Sequence, residues 1–399
     1  MVMSRRTSLA VTAAMVLLVA PIAATARASA SEEFLTGLRS PAGMAFAPDG
    51  AVFFTEKDTG AIRIALDGQV LPQPLTTLDV VSGSETGLLG IALDPNFPDQ
   101  PWLYAYFTDA DDGTNRLVRI RVDGNQGGER QVLLDALPAE AGYHNGGALA
   151  FDAAGMLLIT VGEIHDAKRA QNPDDIGGKV LRLTPDGEIP ADNPTPGSPV
   201  FSLGHRNSYG ICLDPASGDI WETENGPERD DEINLIEPGG NYGWPDVLGP
   251  GSDPRFIDPV VVFPRVIVPT GCTVADGALW FGSYGDGSVR QLALPASGTT
   301  ARATVAATLP SGILAMATGP DGAVYASTSE AIWRITDEAA ATSAPAPAAG
   351  APSSTAPPVD RSAGGGSGWR PWIVAAAAIV LVAGLALRWK AGRGLHRTP

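Results

Sequence analysis

The sequence predicts an all-β protein whose body is a six-bladed β-propeller, and three observations carry that prediction. One phrase recurs six times along the chain, as PAGMAFAPDGAVFFTE from Pro41, TGLLGIALDPNFPDQPWLYAYFT from Thr86, NGGALAFDAAGMLLITVGE from Asn145, SYGICLDPASGDIWETENG from Ser208, TGCTVADGALWFGSYGDG from Thr270 and GILAMATGPDGAVYASTSE from Gly312. Each copy reads as two short alternating strands joined by an Asp/Gly turn. Most copies are followed by a further strand, such as NRLVRIRVDG, GKVLRLTPDG, DEINLIEPG, SVRQLAL or AIWRIT. Repeats of roughly 40 to 60 residues built from short antiparallel strands belong to propellers, and a β-sandwich with long insertions is the alternative.

Taken in order, the chain opens with a leader at 1–30. Arg5 and Arg6 precede an apolar stretch and then small residues, so a secretory signal with cleavage near Ala28 or Ala30 is expected. The next segment, EEFLTGL from Glu32 to Leu38, is suited to close the ring as the outer strand of the last blade, because an open ring would leave unpaired edges. The repeats then make a folded body at 31–338. Residues 339–368 are almost only Ala, Pro, Ser, Thr and Gly, a composition that cannot bury enough apolar surface to fold, and read as a flexible linker. A transmembrane helix is expected at 369–389: the stretch from Pro371 to Leu387 is uncharged and is bracketed by Trp369, Trp372 and Trp389. Arg388, Lys390, Arg393 and Arg397 then place the tail, 390–399, in the cytoplasm, with the propeller outside the cell membrane.

Residues 31–338 hold 18 of the 27 Lys and Arg and 43 of the 44 Asp and Glu, a net charge of about −25. Such a field repels nucleic acid and anionic lipid. The two cysteines, Cys212 and Cys272, show no metal-ligand spacing and so give no support to a zinc site. They fall in the first strands of the fourth and fifth copies, adjacent blades of a ring. A disulfide and two buried thiols both remain open at this stage.

In a propeller the first strands converge on one mouth of the channel, so residues just ahead of each copy gather from different blades. Glu85, His144 with Asn145, Arg206 with Asn207, and Thr270 occupy those positions. Gly146 and Gly147 allow a close turn behind His144.

TGLLGIALDPNF, HNGGALAF, GKVLRLTPDGEIPADNP and LGHRNSYGICLDPASGDIWETENGPERDDEINLIEPGGNYGWP keep their order and spacing. Together they resemble the glucose/sorbosone dehydrogenase family, six-bladed propellers that oxidise sugars with pyrroloquinoline quinone (PQQ), over about residues 38 to 336. The resemblance implies a general base at His144, substrate contacts from Glu85 and Asn145, and cofactor contacts from Arg206 and Asn207. It further implies a calcium ion held by the backbone carbonyls of Gly226 and Pro227, with Glu224, Asp230, Asp231 and Glu232 nearby. A sugar substrate and an electron acceptor at the membrane are the implied partners.

The chain departs from the family pattern in informative places. Glu85 stands where a glutamine is expected and Tyr143 where an acid is expected. A lysine expected in the fifth blade falls at Gly285, and an arginine pair expected in the sixth at about Gly312 and Leu314. Arg265, Arg290, Lys168 and Arg169 are the cations that could substitute from loops, and Tyr143, Tyr209 and Trp244 the aromatics that could stack on a sugar. A propeller that binds a ligand without redox chemistry, and a calcium-dependent lactonase on the same scaffold, are the rival readings.

Overall fold

The protein is described by a computed structural model covering residues 29–337, apart from 252 and 295–300. Six antiparallel sheets are arranged as blades. Blade one is built from Met44–Phe46, Val52–Glu56, Ala61–Leu66 and Gln69–Val70, with the short strand Thr76–Thr77 also on the third strand. Blade two takes Leu88–Leu93, Trp102–Thr108, Asn115–Asp123 and Gln126–Leu137. Blade three takes Leu149–Phe151, Leu157–Val161, Lys179–Leu183 and Val200–Leu203, and blade four Ser208–Leu213, Ile220–Glu224, Asp231–Ile236 and Val261–Phe263. Blade five holds Pro269–Ala275, Ala278–Ser283, Ser288–Ala293 and Thr304–Thr308.

Blade six combines Met316–Thr318, Val324–Ser327 and Ala331–Asp337 with the chain-initial strand Ser29–Thr36, which is the ring closure expected from the sequence. That strand begins earlier and ends sooner than the Glu32 to Leu38 reading. Its register runs from Ser29 opposite Asp337 to Thr36 opposite Ala331, with a bulge between Glu33 and Leu35. The first strand of every blade touches the first strands of both neighbouring blades, blade six against blade one included.

Stability follows from the same arrangement. There are six apolar clusters, and each straddles one boundary between successive blades. Phe53, Ile64, Leu103 and Phe107 join blades one and two, for example, and Val52, Phe54, Tyr325 and Ile332 join blades one and six. Alternation alone would bury one face of each sheet. Here both faces are sandwiched, which is why second strands such as Val52–Glu56, Leu157–Val161 and Ile220–Glu224 are buried at every position. Cys212 and Cys272 form a disulfide between the first strands of blades four and five, with Cα atoms 5.8 Å apart.

Absent from the sequence reading are the outer fourth strands of blades one to five and a single-turn helix at Lys168–Gln171. Among the described residues no helix is long and apolar enough to cross a membrane. The expected linker, transmembrane helix and tail, and the leader up to residue 28, lie outside the described residues.

Candidate active site at the channel mouth

Antiparallel pairing decides which residues reach the mouth. Ser208 opens the first strand of blade four opposite Glu224, the end of the second strand, and Pro269 opens blade five opposite Ser283. Residues just before a first strand therefore meet residues just after a second strand. The first group contains the positions read from the sequence. The second adds Lys57, Glu163, Asn225 and Tyr284.

His144 sits in the left-handed region at φ 56°, a conformation that costs energy outside glycine and is held here by hydrogen bonds on both sides. Its backbone N–H donates to Glu85 Oε2 at 2.5 Å, and its carbonyl accepts from the Ile164 N–H at 3.3 Å. A Cβ on Gly162 would lie 2.0 Å from that carbonyl, so only glycine fits at the crossing. The imidazole Nδ1 lies 2.7 Å from Glu163 Oε1. A carboxylate only accepts, so Nδ1 carries the hydrogen and Nε2 presents its lone pair. The other Glu163 oxygen is buried without a partner. His165 stacks on His144 with centroids 4.0 Å apart, and Tyr143 meets His165 edge-on at 5.5 Å. Burial, then the neighbouring His144, pulls the His165 pKa down.

Glu85 ties three blades together. Its Oε2 accepts from the His144 N–H and, at 3.2 Å, from Asn207 Nδ2; its backbone carbonyl accepts from Asn145 Nδ2 at 3.1 Å. The Asn145 amide oxygen accepts from Asn115 Nδ2 at 2.9 Å, and the residue is fully buried. Both ends of that amide are thus committed inside the protein, which makes Asn145 a brace behind Glu85. The Asn207 amide oxygen accepts from the Gly146 N–H at 3.3 Å, which links the base-bearing turn to blade four. Gly146 and Gly147 adopt φ of 65° and 101°, and a Cβ on Gly147 would meet the Tyr106 ring at 2.8 Å, as the close turn requires.

Arg206 is half-buried over the Trp244 ring, 5.4 Å from its centroid. Its Nη1 donates to the carbonyls of Asn225 at 2.9 Å and Gly226 at 3.0 Å, and its backbone N–H donates to Glu224. Burial lowers its pKa, against the pull of Glu163, Glu224, Glu85 and Asp231. The carboxylates expected around Gly226 are engaged elsewhere. Asp231 accepts from the N–H groups of Gly226 at 2.8 Å, Ile267 at 2.6 Å and Val268 at 2.8 Å. Glu232 accepts from the Gly249 N–H at 3.1 Å, Asp230 pairs with Arg229 at 3.2 Å, and Glu224 lies 3.1 Å from His205 Nδ1. The backbone oxygens that could serve a hard cation at this point are those of Pro227 and of Gly226, the latter already accepting from Arg206.

The central channel forms a cavity of about 590 Å³ lined by Lys57, Glu85, Tyr209, Thr270, Tyr284 and Leu314 among others. Lys57 is the cationic side chain on this lining, and Asp58 holds its ammonium at 2.8 Å. Blades five and six supply none, and the structure shows why: a Cβ on Gly285 would lie 2.7 Å from the Ile267 carbonyl, and one on Gly312 2.5 Å from the Tyr284 carbonyl. Arg290 pairs with Asp286 at 2.7 Å over the Phe263 ring, Arg169 pairs with Asp175 at 3.3 Å, and Lys168 and Arg265 are exposed, so none of these lines the cavity. On the cavity lining an anionic quinone therefore finds Lys57 as its cation, Glu85 as an anion and neutral walls on blades five and six, with Arg206 in a neighbouring pocket beside the Gly226 carbonyl. That donor set fits the group along one edge.

Among the aromatics proposed for stacking, Tyr209 lines the cavity, Tyr143 packs on His165, and Trp244 packs on Arg206. The Tyr209 hydroxyl is buried without a partner.

Comparison with known proteins agrees with this geometry. Over 220 residues, 52% of this chain and 59% of the relative, the sequence is 34% identical to the aldose sugar dehydrogenase YliI of Escherichia coli. It is 31% identical to quinoprotein glucose dehydrogenase B of Acinetobacter calcoaceticus over 56% of this chain and 53% of that one. The PQQ-bound aldose sugar dehydrogenase of Streptomyces coelicolor superposes with a TM-score of 0.71 at 31% identity, covering 77% of this chain and 98% of that structure. The family model for glucose/sorbosone dehydrogenase matches residues 38–336, nearly the whole described propeller, and the chain belongs to the glucose/sorbosone dehydrogenase family.

Proposed function

We propose that the propeller is a quinone-dependent aldose dehydrogenase that oxidises the anomeric carbon of a sugar to the lactone. The observation that carries this reading is the His144–Glu163 pair at 2.7 Å, buried behind Glu85, whose side chain is bonded to the His144 backbone and lines the 590 Å³ cavity. His144 Nε2 takes the proton of the anomeric hydroxyl while Glu163 stabilises the imidazolium that results. Glu85 and Asn207 fix the backbone on which the imidazole is mounted, so the base loses little freedom on reaching the reactive geometry. PQQ, held by Arg206 and Lys57, with calcium at the Gly226 and Pro227 carbonyls, would supply the two-electron acceptor for the hydride. The names of the relatives support that cofactor, and the donor set at the mouth is compatible with it.

The test is reconstitution of the purified protein with PQQ and calcium, followed by dye reduction on addition of aldoses. Activity in the wild type and its loss in His144→Ala supports the reading; a protein that binds no quinone by fluorescence titration overturns it. The neutral walls of blades five and six favour a second reading, a propeller that binds a ligand at this mouth without redox chemistry, and the same titration separates the two.

Export and anchoring belong to the same proposal. The leader, the linker and the Trp-flanked stretch at 369–389 support a propeller held outside the cell membrane with a cytoplasmic tail. Cleavage after Ala28 would leave the closing strand whole, whereas cleavage after Ala30 would remove two of its pairs, those of Ser29 and Ala30. Mass spectrometry of the mature N-terminus distinguishes them, and protease accessibility of intact cells tests the orientation.

A further inference from the structure

A carboxylate stands on the cavity wall. Glu85 is half-buried and lines the cavity, and only its Oε2 is occupied, by the His144 N–H and Asn207 Nδ2. Among the described residues Oε1 has no hydrogen-bond partner in the protein. The remaining carboxylates near the mouth are each turned inward: Glu163 to His144, Glu224 to His205, and Asp231 to three backbone N–H groups. Of the cations, Lys57 on the same lining makes one bond, to Asp58, and Arg206 donates to two carbonyls. Glu85 is thus the anionic side chain on the cavity wall, directly beside the backbone that carries the base, in a body of about −25.

A free carboxylate on a part-enclosed wall attracts a cation and repels an anion more strongly than the same group in bulk water. The Tyr209 hydroxyl, on the same wall, faces the Glu85 carboxylate and makes no close hydrogen bond there, so it adds a polar group beside that charge.

We propose that Glu85 makes this mouth selective for aldoses that carry an ammonium group, amino sugars, over neutral aldoses and over sugar acids. The inference rests on the dehydrogenase reading above for the fate of the sugar, but the selectivity itself is a binding property. It assigns to Glu85 a task beyond its bracing of His144: Oε2 positions the base and Oε1 reads the substrate.

The experiment is a binding titration by ligand-observed NMR on the full-length protein in detergent, with D-glucosamine, D-glucose and D-glucuronate, at low and at high salt. At low salt glucosamine should bind about tenfold more tightly than glucose, and glucuronate more weakly than glucose, with the spread shrinking as salt screens the carboxylate. Glu85→Gln keeps an oxygen to accept from His144 and Asn207 and should bring the three sugars to within about twofold of one another, as expected once the charge is removed. Equal binding of glucosamine and glucose by the wild type, or a preference that survives in Glu85→Gln or is indifferent to salt, overturns the proposal. The wild-type comparison decides the matter even if the variant does not fold. Parallel assays with the quinone-loaded protein keep the two readings apart: glucose oxidised with no amino-sugar preference sinks only this inference, while an amino-sugar preference in binding with no oxidation of any sugar sinks only the dehydrogenase reading.

Discussion

At the scale of single residues, the site is a base, its orienting acid and a carboxylate mount. Replacing Glu163 with Gln leaves a side chain of the same size beside His144 Nδ1 but removes the charge that stabilises the imidazolium. The expected outcome is a fall in kcat of about a hundredfold with KM little changed, within the range that proton-transfer catalysis commands. Steady-state assays with the quinone-loaded protein check it, and a purely structural role would instead lower the melting temperature. His144 was singled out through the family resemblance, which assigns a base to that position; by its own surroundings a histidine ahead of two glycines passes for a hydrogen-bonded turn residue. Glu163 was not, because the resemblance assigns it no role and the reading of the channel mouth took only residues ahead of first strands. Its position, two residues beyond a second strand, is equivalent to those of Lys57, Asn225 and Tyr284, which directly follow theirs. The signal was present in the repeat itself, at the far end of each phrase.

At the scale of elements, the repeat showed the blades and the ring closure because alternating apolar positions and Asp/Gly turns are local signals, while the pairing of Cys212 with Cys272 depended on a distance that no sequence shows. The bridge closes a loop of 60 residues between two first strands. Replacing both cysteines with Ala should cost about 4 kcal/mol if loop entropy dominates, and chemical denaturation of the variant against the wild type measures it. The glycines of blades five and six carry a second prediction. The missing cations are not simple substitutions, since the backbone has closed over the space they would need: a Cβ on Gly285 falls 2.7 Å from the Ile267 carbonyl. Gly285→Lys should therefore destabilise the fold by about 1 to 3 kcal/mol, as overpacking does, without improving quinone affinity. A gain in affinity at unchanged stability would show that the wall can open.

At the scale of the whole molecule, the acidic body hides a buried charge cluster whose existence no composition could reveal. In blade four His205 lies 3.1 Å from both Glu222 and Glu224, stacks on Tyr242 at 4.8 Å, and bonds to Ser202 at 2.8 Å. Asn234 bridges Glu222 at 3.2 Å to Glu224 and Glu232, each at 3.4 Å. Burial disfavours the imidazolium, yet Glu222 and Glu224 outweigh it and raise the His205 pKa to about 10. Burial and the nearby Glu224 push Glu232 up to about 8. Both folded values exceed their unfolded ones, so in each case the folded state binds the extra proton and stability falls as pH rises. The Glu232 contribution is full below its ordinary value of 4.5 and is lost through about 8; that of His205 is full below 6.5 and is lost through about 10. Asp286 opposes them on the acid side, held down to about 2 by Ser283, Ser288 and Arg290 despite partial burial, so its contribution disappears as pH drops from 3.8 through that value. The melting temperature should therefore peak near pH 5 and decline toward pH 8, above which Lys179, its pKa lowered by burial to about 8, opposes the loss from His205. Calorimetric scans across pH 3 to 10 test the shape. Glu232→Gln isolates its share, because it should flatten the curve between pH 4.5 and 6.5 and make it shallower from there to 8, where His205 still contributes; a wild-type curve that rises between pH 5 and 8 would show that the blade-four cluster does not hold its protons.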